Sequence, residues 1–288
     1  MSTLINPFAP FDEALTKAFA ANIQAALDED IGSGDWTAML VPEQAKVRAS
    51  LIVREEAVLC GAPWFEAIML RLDGHMALDW RYAEGEWMRA GSEVCSIAAP
   101  ARALLTAERS ALNFLQMLSG VATVTRQYVD SVSGTPASIL DTRKTLPGLR
   151  IAQKYAVRVG GGHNQRLGLH DGILINENHI AAAGGIAAAL HAAQEVHAGV
   201  GIQIEVEDLA GLREALAAGA QSILLDNFSL DLLRQAVALT SGWAVLEASG
   251  GVGQEHVRAI AETGVDRISI GALTKNVRAT DYSLRVLD

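Results

Sequence analysis

From residue 137 onward one unit recurs along the chain. A short apolar run closes on polar residues or glycine, and an Ala- and Leu-rich stretch at helical spacing follows. The runs are ASILDTRK (137–144), GILINENH (172–179), GIQIEVE (201–207), SILLDNF (222–228), AVLEASGG (244–251) and RISIGA (267–272). Apolar residues barely alternate within them, so each strand must be covered on both faces: a parallel sheet with helices outside. A doubly wound sheet shows the same rhythm. The polar ending shared by every run fits an α/β barrel better, because barrels assemble their sites from C-terminal strand ends. Six or seven strands are countable, so the barrel is expected to be incomplete. Composition agrees, since half the residues are apolar but only 5% are aromatic.

The first third reads differently. Residues 12–30 have helical periodicity, and after the turn-like GSGDWT come the strand-like runs VRASLIV, EAVLCGA, MALDWRYA and EVCSIAA, with a helix expected at 63–72. The stretch EGEWMRAGSEVCSI (84–97) reads as a β-hairpin with glycines at its tight turns. It faintly resembles a biotinyl carrier hairpin but lacks the lysine such a carrier needs. A helix at 101–118 is expected to close at Ser119-Gly120, giving domains at 1–118 and 119–274.

Several function classes are excluded. The net charge of −10, with no basic stripe, argues against nucleic acid as a partner. Cys60 and Cys95 have no partner at metal-ligand spacing and read as buried free thiols of a reducing compartment. The N-terminal segment has neither the cationic nor the apolar region of a secretion signal, and the longest nearly apolar stretch, residues 180–190, is too short to span a membrane. A soluble cytoplasmic protein is expected.

The chemistry-bearing residues cluster at strand ends. Ser249-Gly250-Gly251 and Ile270-Gly271-Ala272 end the last two runs, where glycines let backbone N–H groups approach a phosphate and a following helix would add its dipole. Thr142-Arg143-Lys144 places adjacent cations at another strand end, and Arg166 follows the loop GGGHNQR (160–166). Arg109 lies in the helix before the barrel. Glu205 and Asp226 each end an apolar strand, where a carboxylate is costly without a cation, metal or ligand hydroxyl. Basic and acidic strand ends around one mouth suit a phosphorylated sugar: bases for phosphates and carboxylates, acids for Mg²⁺ and ribose hydroxyls.

Longer segments carry a specific resemblance. ERSALNFLQMLSGVAT (108–123), DTRKTLPGLR (141–150), KYAVRVGGGHNQR (154–166), IEVEDL (204–209), LLDNF (224–228), EASGG (247–251) and ETGVDRISIGALT (262–274) resemble quinolinate phosphoribosyltransferase, the carboxylating nicotinate-nucleotide pyrophosphorylase of NAD synthesis, as does GSGDWT (32–37). The resemblance implies an N-terminal α/β sandwich domain packed beside an incomplete, six- or seven-stranded α/β barrel, with the tail 275–288 returning to the first domain. It implies a homodimer or higher oligomer with shared active sites, and transfer of phosphoribosyl from 5-phosphoribosyl 1-pyrophosphate to quinolinate with loss of CO₂. Arg143, Lys144 and Arg166 would hold the quinolinate carboxylates and nearby phosphate oxygens, with Thr142 beside them. Arg109 would reach in from the partner subunit. Glu205 and Asp226 would bind ribose hydroxyls and Mg²⁺-pyrophosphate, Lys144, Glu205 and Asp226 forming the catalytic set. Ser249, Gly250, Gly251, Ile270, Gly271 and Ala272 would cradle the 5-phosphate.

Two positions depart from the family pattern. Gln165 stands where many members have His, and Asn176 stands where the strand end normally carries a ligand-facing lysine. His179 is expected to orient that strand-end loop rather than to act as a base. Two alternatives stay open: a weakly active paralogue that binds phosphoribosyl ligands, and an enzyme like the related molybdenum-transport pyrophosphorylase group.

Overall fold

The computed structural model describes residues 2–287. In chain order the elements are α1 (Glu13–Ile31), a 3₁₀ turn (Ala38–Leu40), β1 (Lys46–Val53), β2 (Ala57–Val58), α2 (Ala62–Leu72), β3 (Ala77–Trp80), β4 (Trp87–Met88), β5 (Glu93–Pro100) and α3 (Ala101–Ser131). There follow β6 (Ser138–Leu140), α4 (Arg150–Val159), β7 (Ile173–Ile175), α5 (Glu177–Ala183), α6 (Ile186–Glu195), β8 (Ile202–Val206), α7 (Leu209–Ala217), β9 (Ser222–Asp226) and α8 (Leu230–Thr240). The chain ends with β10 (Val245–Ser249), α9 (Val257–Ala261), β11 (Arg267–Ser269), α10 (Ala272–Lys275) and β12 (Tyr282–Leu287). Two compact units result. The first holds residues up to Arg126, Thr145–Gly161 and the chain from Thr274; the second holds Gln127–Lys144 and Gly162–Leu273.

In the first unit an antiparallel sheet has the order β12-β1-β5-β3. Its strands alternate: Leu51 and Val53 on β1, Cys95 and Ile97 on β5 and Leu78 on β3 are buried, as one covered face requires. Helix α2 packs Phe65 edge-on against Trp80 of β3, ring centroids 5.7 Å apart. Trp64 on the same helix centres an aromatic cluster with Phe11, Phe19 and Tyr155. The C-terminal strand β12 pairs antiparallel with β1 from Arg48↔Leu287 to Val53↔Tyr282. Both cysteines are free and buried.

Two local expectations fail in this unit. The hairpin over 84–97 does not form: β4 pairs with β2, some thirty residues earlier, while β5 pairs with β1 and β3. The glycine turn is real, but its backbone serves β1, Gly91 N–H donating to Val53 O at 2.8 Å. The helix expected to close at Ser119-Gly120 runs on to Ser131 as α3. Gly120 is there for space, since a Cβ would lie 2.1 Å from the Arg278 carbonyl oxygen. Ser119 faces inward and bonds the Tyr282 hydroxyl at 2.8 Å.

In the second unit all six expected runs form strands, in one parallel sheet of order β6-β11-β10-β9-β8-β7. Helices α5 to α9 fill the connections from β7 to β11, and α10 follows β11. Asp208 and Ser229 cap α7 and α8, their side chains accepting from Gly211 N–H and Leu232 N–H. His163 makes an isolated parallel bridge to Leu140. That bridge lays residues 163–166 beside β6 as a further short staff of the incomplete barrel.

Candidate active site

Side chains two residues apart on a strand share a face, and this alternation builds the mouth of the second unit. Leu224 and Asp226 on β9, Glu247 and Ser249 on β10, and Glu205 on β8 line one pocket of about 310 Å³. Thr142, Arg143 and Lys144 after β6, with Gln165 and Arg166 from the adjoining segment, complete its rim, and Leu174 and Ser269 its wall. Arg143, Lys144, Arg166, Glu205 and Asp226, all selected from the sequence, therefore converge on one recess.

The recess holds crowded like charges of both signs. Burial pushes the Glu205 carboxyl above its ordinary range; the charges of Asp226, Glu177 and Glu207 push the same way, and Lys144 opposes them. Burial, then the neighbouring Arg143 charge, lowers the Arg166 guanidinium. Two cations crowded together and two carboxylates crowded together each relax when ligand oxygens or a metal enter. Arg166 is steadied by donating from Nη1 to the Gly172 carbonyl at 3.0 Å. Gly271 leaves room for a neighbour: a Cβ there would lie 3.0 Å from Lys144 Cδ.

The glycine segments hold a surprise. Gly250, with φ of +98°, lies so close to Asn227 that a Cβ would meet its Oδ1 at 2.1 Å. Glycine is therefore required there by packing as well as by conformation. The helix expected directly after Gly251 begins only at Val257, and α10 after Gly271 is four residues long, so the helix-dipole part of the phosphate argument falls away. Ile270 is buried, and its N–H is taken by the Leu140 carbonyl at 2.9 Å. Ser249 lines the pocket; Gly250, Gly251, Ile270, Gly271 and Ala272 sit in the adjoining strand-end segments.

Two further selected residues lie outside the recess lining. Arg109 is exposed on α3 in the first unit. Asn176 is the N-cap of α5: its Oδ1 accepts from His179 N–H at 3.3 Å, and Asn176 N–H donates to His179 Nδ1 at 3.3 Å. His179 thus answers the cap of Asn176 within that loop. Sequence reasoning missed Glu247 and Ser269. Ser269 lines the pocket wall, and its Oγ is buried with no hydrogen-bond partner among the described residues. Strand alternation was the available signal, since Glu247 precedes Ser249 by two residues.

Comparison with known proteins gives this geometry its family. Residues 35–119 match the model of the quinolinate phosphoribosyl transferase N-terminal domain, and residues 121–285 match that of the C-terminal domain. The chain belongs to the quinolinate phosphoribosyltransferase family. A probable carboxylating nicotinate-nucleotide pyrophosphorylase of Bacillus subtilis is 42% identical over 260 residues, 90% of each chain. The corresponding Mycobacterium leprae enzyme is 42% identical over 272 residues, 91% of this chain and 95% of its own. A solved nicotinate-nucleotide pyrophosphorylase from Francisella tularensis superposes with a TM-score of 0.92 at 42% identity, covering 96% of this chain and all of that one. Family membership makes the α/β sandwich with an incomplete barrel the expected architecture, and the strand-end recess lies where a barrel enzyme carries its chemistry.

Proposed function

We propose that this protein joins quinolinate to 5-phosphoribosyl 1-pyrophosphate, releasing pyrophosphate and CO₂ to give nicotinate mononucleotide. The observation that carries the reading is the convergence of Arg143, Lys144 and Arg166 with Glu205 and Asp226 in one barrel-mouth recess. A dicarboxylate calls for guanidinium forks, which match carboxylate geometry bidentately. The ring nitrogen bonds to the ribosyl carbon as the bond to pyrophosphate breaks. The ring carboxylate then leaves as CO₂, and a proton takes its place. The ribosyl centre becomes cationic in this passage, so the residues act by positioning and charge stabilisation. Glu205 and Asp226 bind ribose hydroxyls and stabilise that cation, while Lys144 steadies the departing oxygens. Ser249 and the glycine segments around Gly250 and Gly271 hold the 5-phosphate.

The reading includes Mg²⁺. Two crowded carboxylates, one of them with its pKa raised, suit an ion that keeps most of its waters and takes remaining ligands from substrate phosphates. Glu205 and Asp226 would hold it, and it would neutralise charge on the leaving pyrophosphate.

It also includes a homodimer in which Arg109 of a second copy completes the recess. In support, Trp36, two residues before the 3₁₀ turn, and Leu40, within it, are 76% and 83% exposed, large apolar surface of the kind that marks an interface. Thr106, one helical turn before Arg109 on α3, hydrogen-bonds Asp35 beside that segment at 2.8 Å. Arg109 therefore borders the exposed patch. Buried free thiols and the lack of a helix long and apolar enough to cross a membrane among the described residues support a cytosolic location.

A substrate panel tests the reading. With the phosphoribosyl donor and Mg²⁺, quinolinate should yield nicotinate mononucleotide, while nicotinate, lacking the second carboxylate, should not react. Turnover of nicotinate with quinolinate inert would overturn it.

A further inference from the structure

Between the recess and the strand-start end of the same unit lies a second cavity of about 420 Å³, which shares Gln165, Arg166 and Leu174 with the recess. The segment carrying Arg166 thus lines both cavities. Its backbone bridges Leu140 at His163, and beyond Arg166 the N–H groups of Leu167 and Gly168 donate to Asp171 at 2.7 and 2.8 Å. Residues 164–166 lie between these anchors, and an arginine that recognises a carboxylate works only when its fork is held in place.

Two fully buried carboxylates flank this segment. Asp141 accepts from Asn164 Nδ2 at 2.6 Å and from Gln165 N–H at 2.9 Å. Glu247, on β10, accepts from Gln165 Nε2 with both oxygens, at 2.7 and 2.6 Å, and from Gln203 Nε2 at 3.0 Å. Gln165 Oε1 in turn accepts from Arg166 N–H at 3.2 Å. Glu247 has no cation within ion-pair distance among the described residues, so its charge is held by amide donors alone. A buried carboxylate so held is expensive, and an apolar residue would pack the barrel more cheaply.

We propose that Glu247 is a positioning residue: through Gln165 it clamps residues 164–166 so that the Arg166 guanidinium meets the substrate carboxylate. It acts through Gln165 and not on the substrate itself. The inference rests on the proposed quinolinate reading for its kinetic expectation, and on geometry alone for its structural one. Its logic is a donor–acceptor code. The carboxylate at 247 accepts through both oxygens from the amides of Gln165 and Gln203; Glu247→Gln turns one of those oxygens into an NH2 donor set against these donors, and adding Gln165→Glu supplies an acceptor for it.

The test is a double-variant cycle read by steady-state kinetics and by hydrogen–deuterium exchange of residues 163–167. Glu247→Gln should raise the quinolinate KM at least tenfold, leave the KM of the phosphoribosyl donor within about twofold, and speed exchange in that segment. Gln165→Glu alone sets two carboxylates together and should do the same. The double variant should bring quinolinate KM back to within about threefold of the parent and restore exchange protection. Should Glu247→Gln fail to fold, Gln203→Leu removes one donor from the same carboxylate and should show the same pattern at smaller size. Equal KM rises for both substrates, unchanged exchange, or a double variant no better than the singles would overturn the clamp. A parent protein inert on quinolinate would sink the substrate reading instead, and the exchange data would still decide the clamp by themselves.

Discussion

Replacing Asn176 by lysine separates the cap that Asn176 makes on α5 from the ligand contact that the family resemblance implies at this position. Leu174 lines the recess, and Asn176, two residues on in extended backbone with φ of −108° and ψ of −179°, leaves the strand on the same face. Its short side chain turns back to cap α5. A lysine has no acceptor, so the cap is lost, at a cost of about 1 kcal/mol, which lowers the melting temperature by roughly 2–4 °C in a domain of this size. The longer chain carries an ammonium from that strand end toward the mouth. Lys144 and Arg166 already attract the ligand oxygens there, so the new charge acts mainly on the departing pyrophosphate and shows in turnover more than in affinity. A lost donor of this kind costs on the order of 3 kcal/mol; recovering about half of it raises kcat roughly tenfold. The assay is kcat at saturating substrates and Mg²⁺ with thermal melting of both proteins. Equal kcat for parent and variant would refute the argument, and an unchanged melting temperature would refute the cap.

Other consequences follow from the same geometry. Arg143→Ala or Arg166→Ala strands a substrate carboxylate in a partly desolvated recess, a loss of roughly 2–5 kcal/mol; calorimetry should find quinolinate binding abolished with the melting curve intact, and unchanged affinity would discard the assigned pocket. Mixing inactive Arg109→Ala subunits with inactive Lys144→Ala subunits should regenerate activity, since a mixed dimer contains one intact site; a dead mixture after proven subunit exchange removes the borrowed arginine. Glu84, in the first unit, is pushed up to about 7 by burial, against the N–H groups of Gly61 and Ala62 and the Tyr155 hydroxyl, which pull it down. A raised folded-state pKa means stability fully present below the ordinary 4.5 and lost as pH rises through about 7. The loss is ~3 kcal/mol. Denaturant melts should show Glu84→Gln lacking this fall relative to the parent, and parallel pH curves for the two proteins would contradict it.

The barrel strands were legible because each apolar run ends on a polar or glycine residue, a pattern that burial on two faces and a working strand end impose together. The same pattern located Arg143, Lys144, Glu205 and Asp226. What escaped depended on partners distant in sequence. Trp87 and Met88 pair with Ala57 and Val58, and no local turn signal reports that. Gly120 reads as a helix stop unless the chain near Arg278 is known to press against it. Asn176 reads as a missing charge, whereas its cap on α5 is visible only once His179 is seen to answer it. Glu247 was hidden inside an apolar run, and its donors Gln165 and Gln203 come from two other segments.

The most direct measurement of the central claim is the release of labelled CO₂ from quinolinate carrying the label on its 2-carboxylate, followed together with pyrophosphate. The account predicts one CO₂ per pyrophosphate, both requiring the phosphoribosyl donor and Mg²⁺, and both lost in Arg166→Ala. Pyrophosphate released without labelled CO₂, or CO₂ released without the donor, would contradict it.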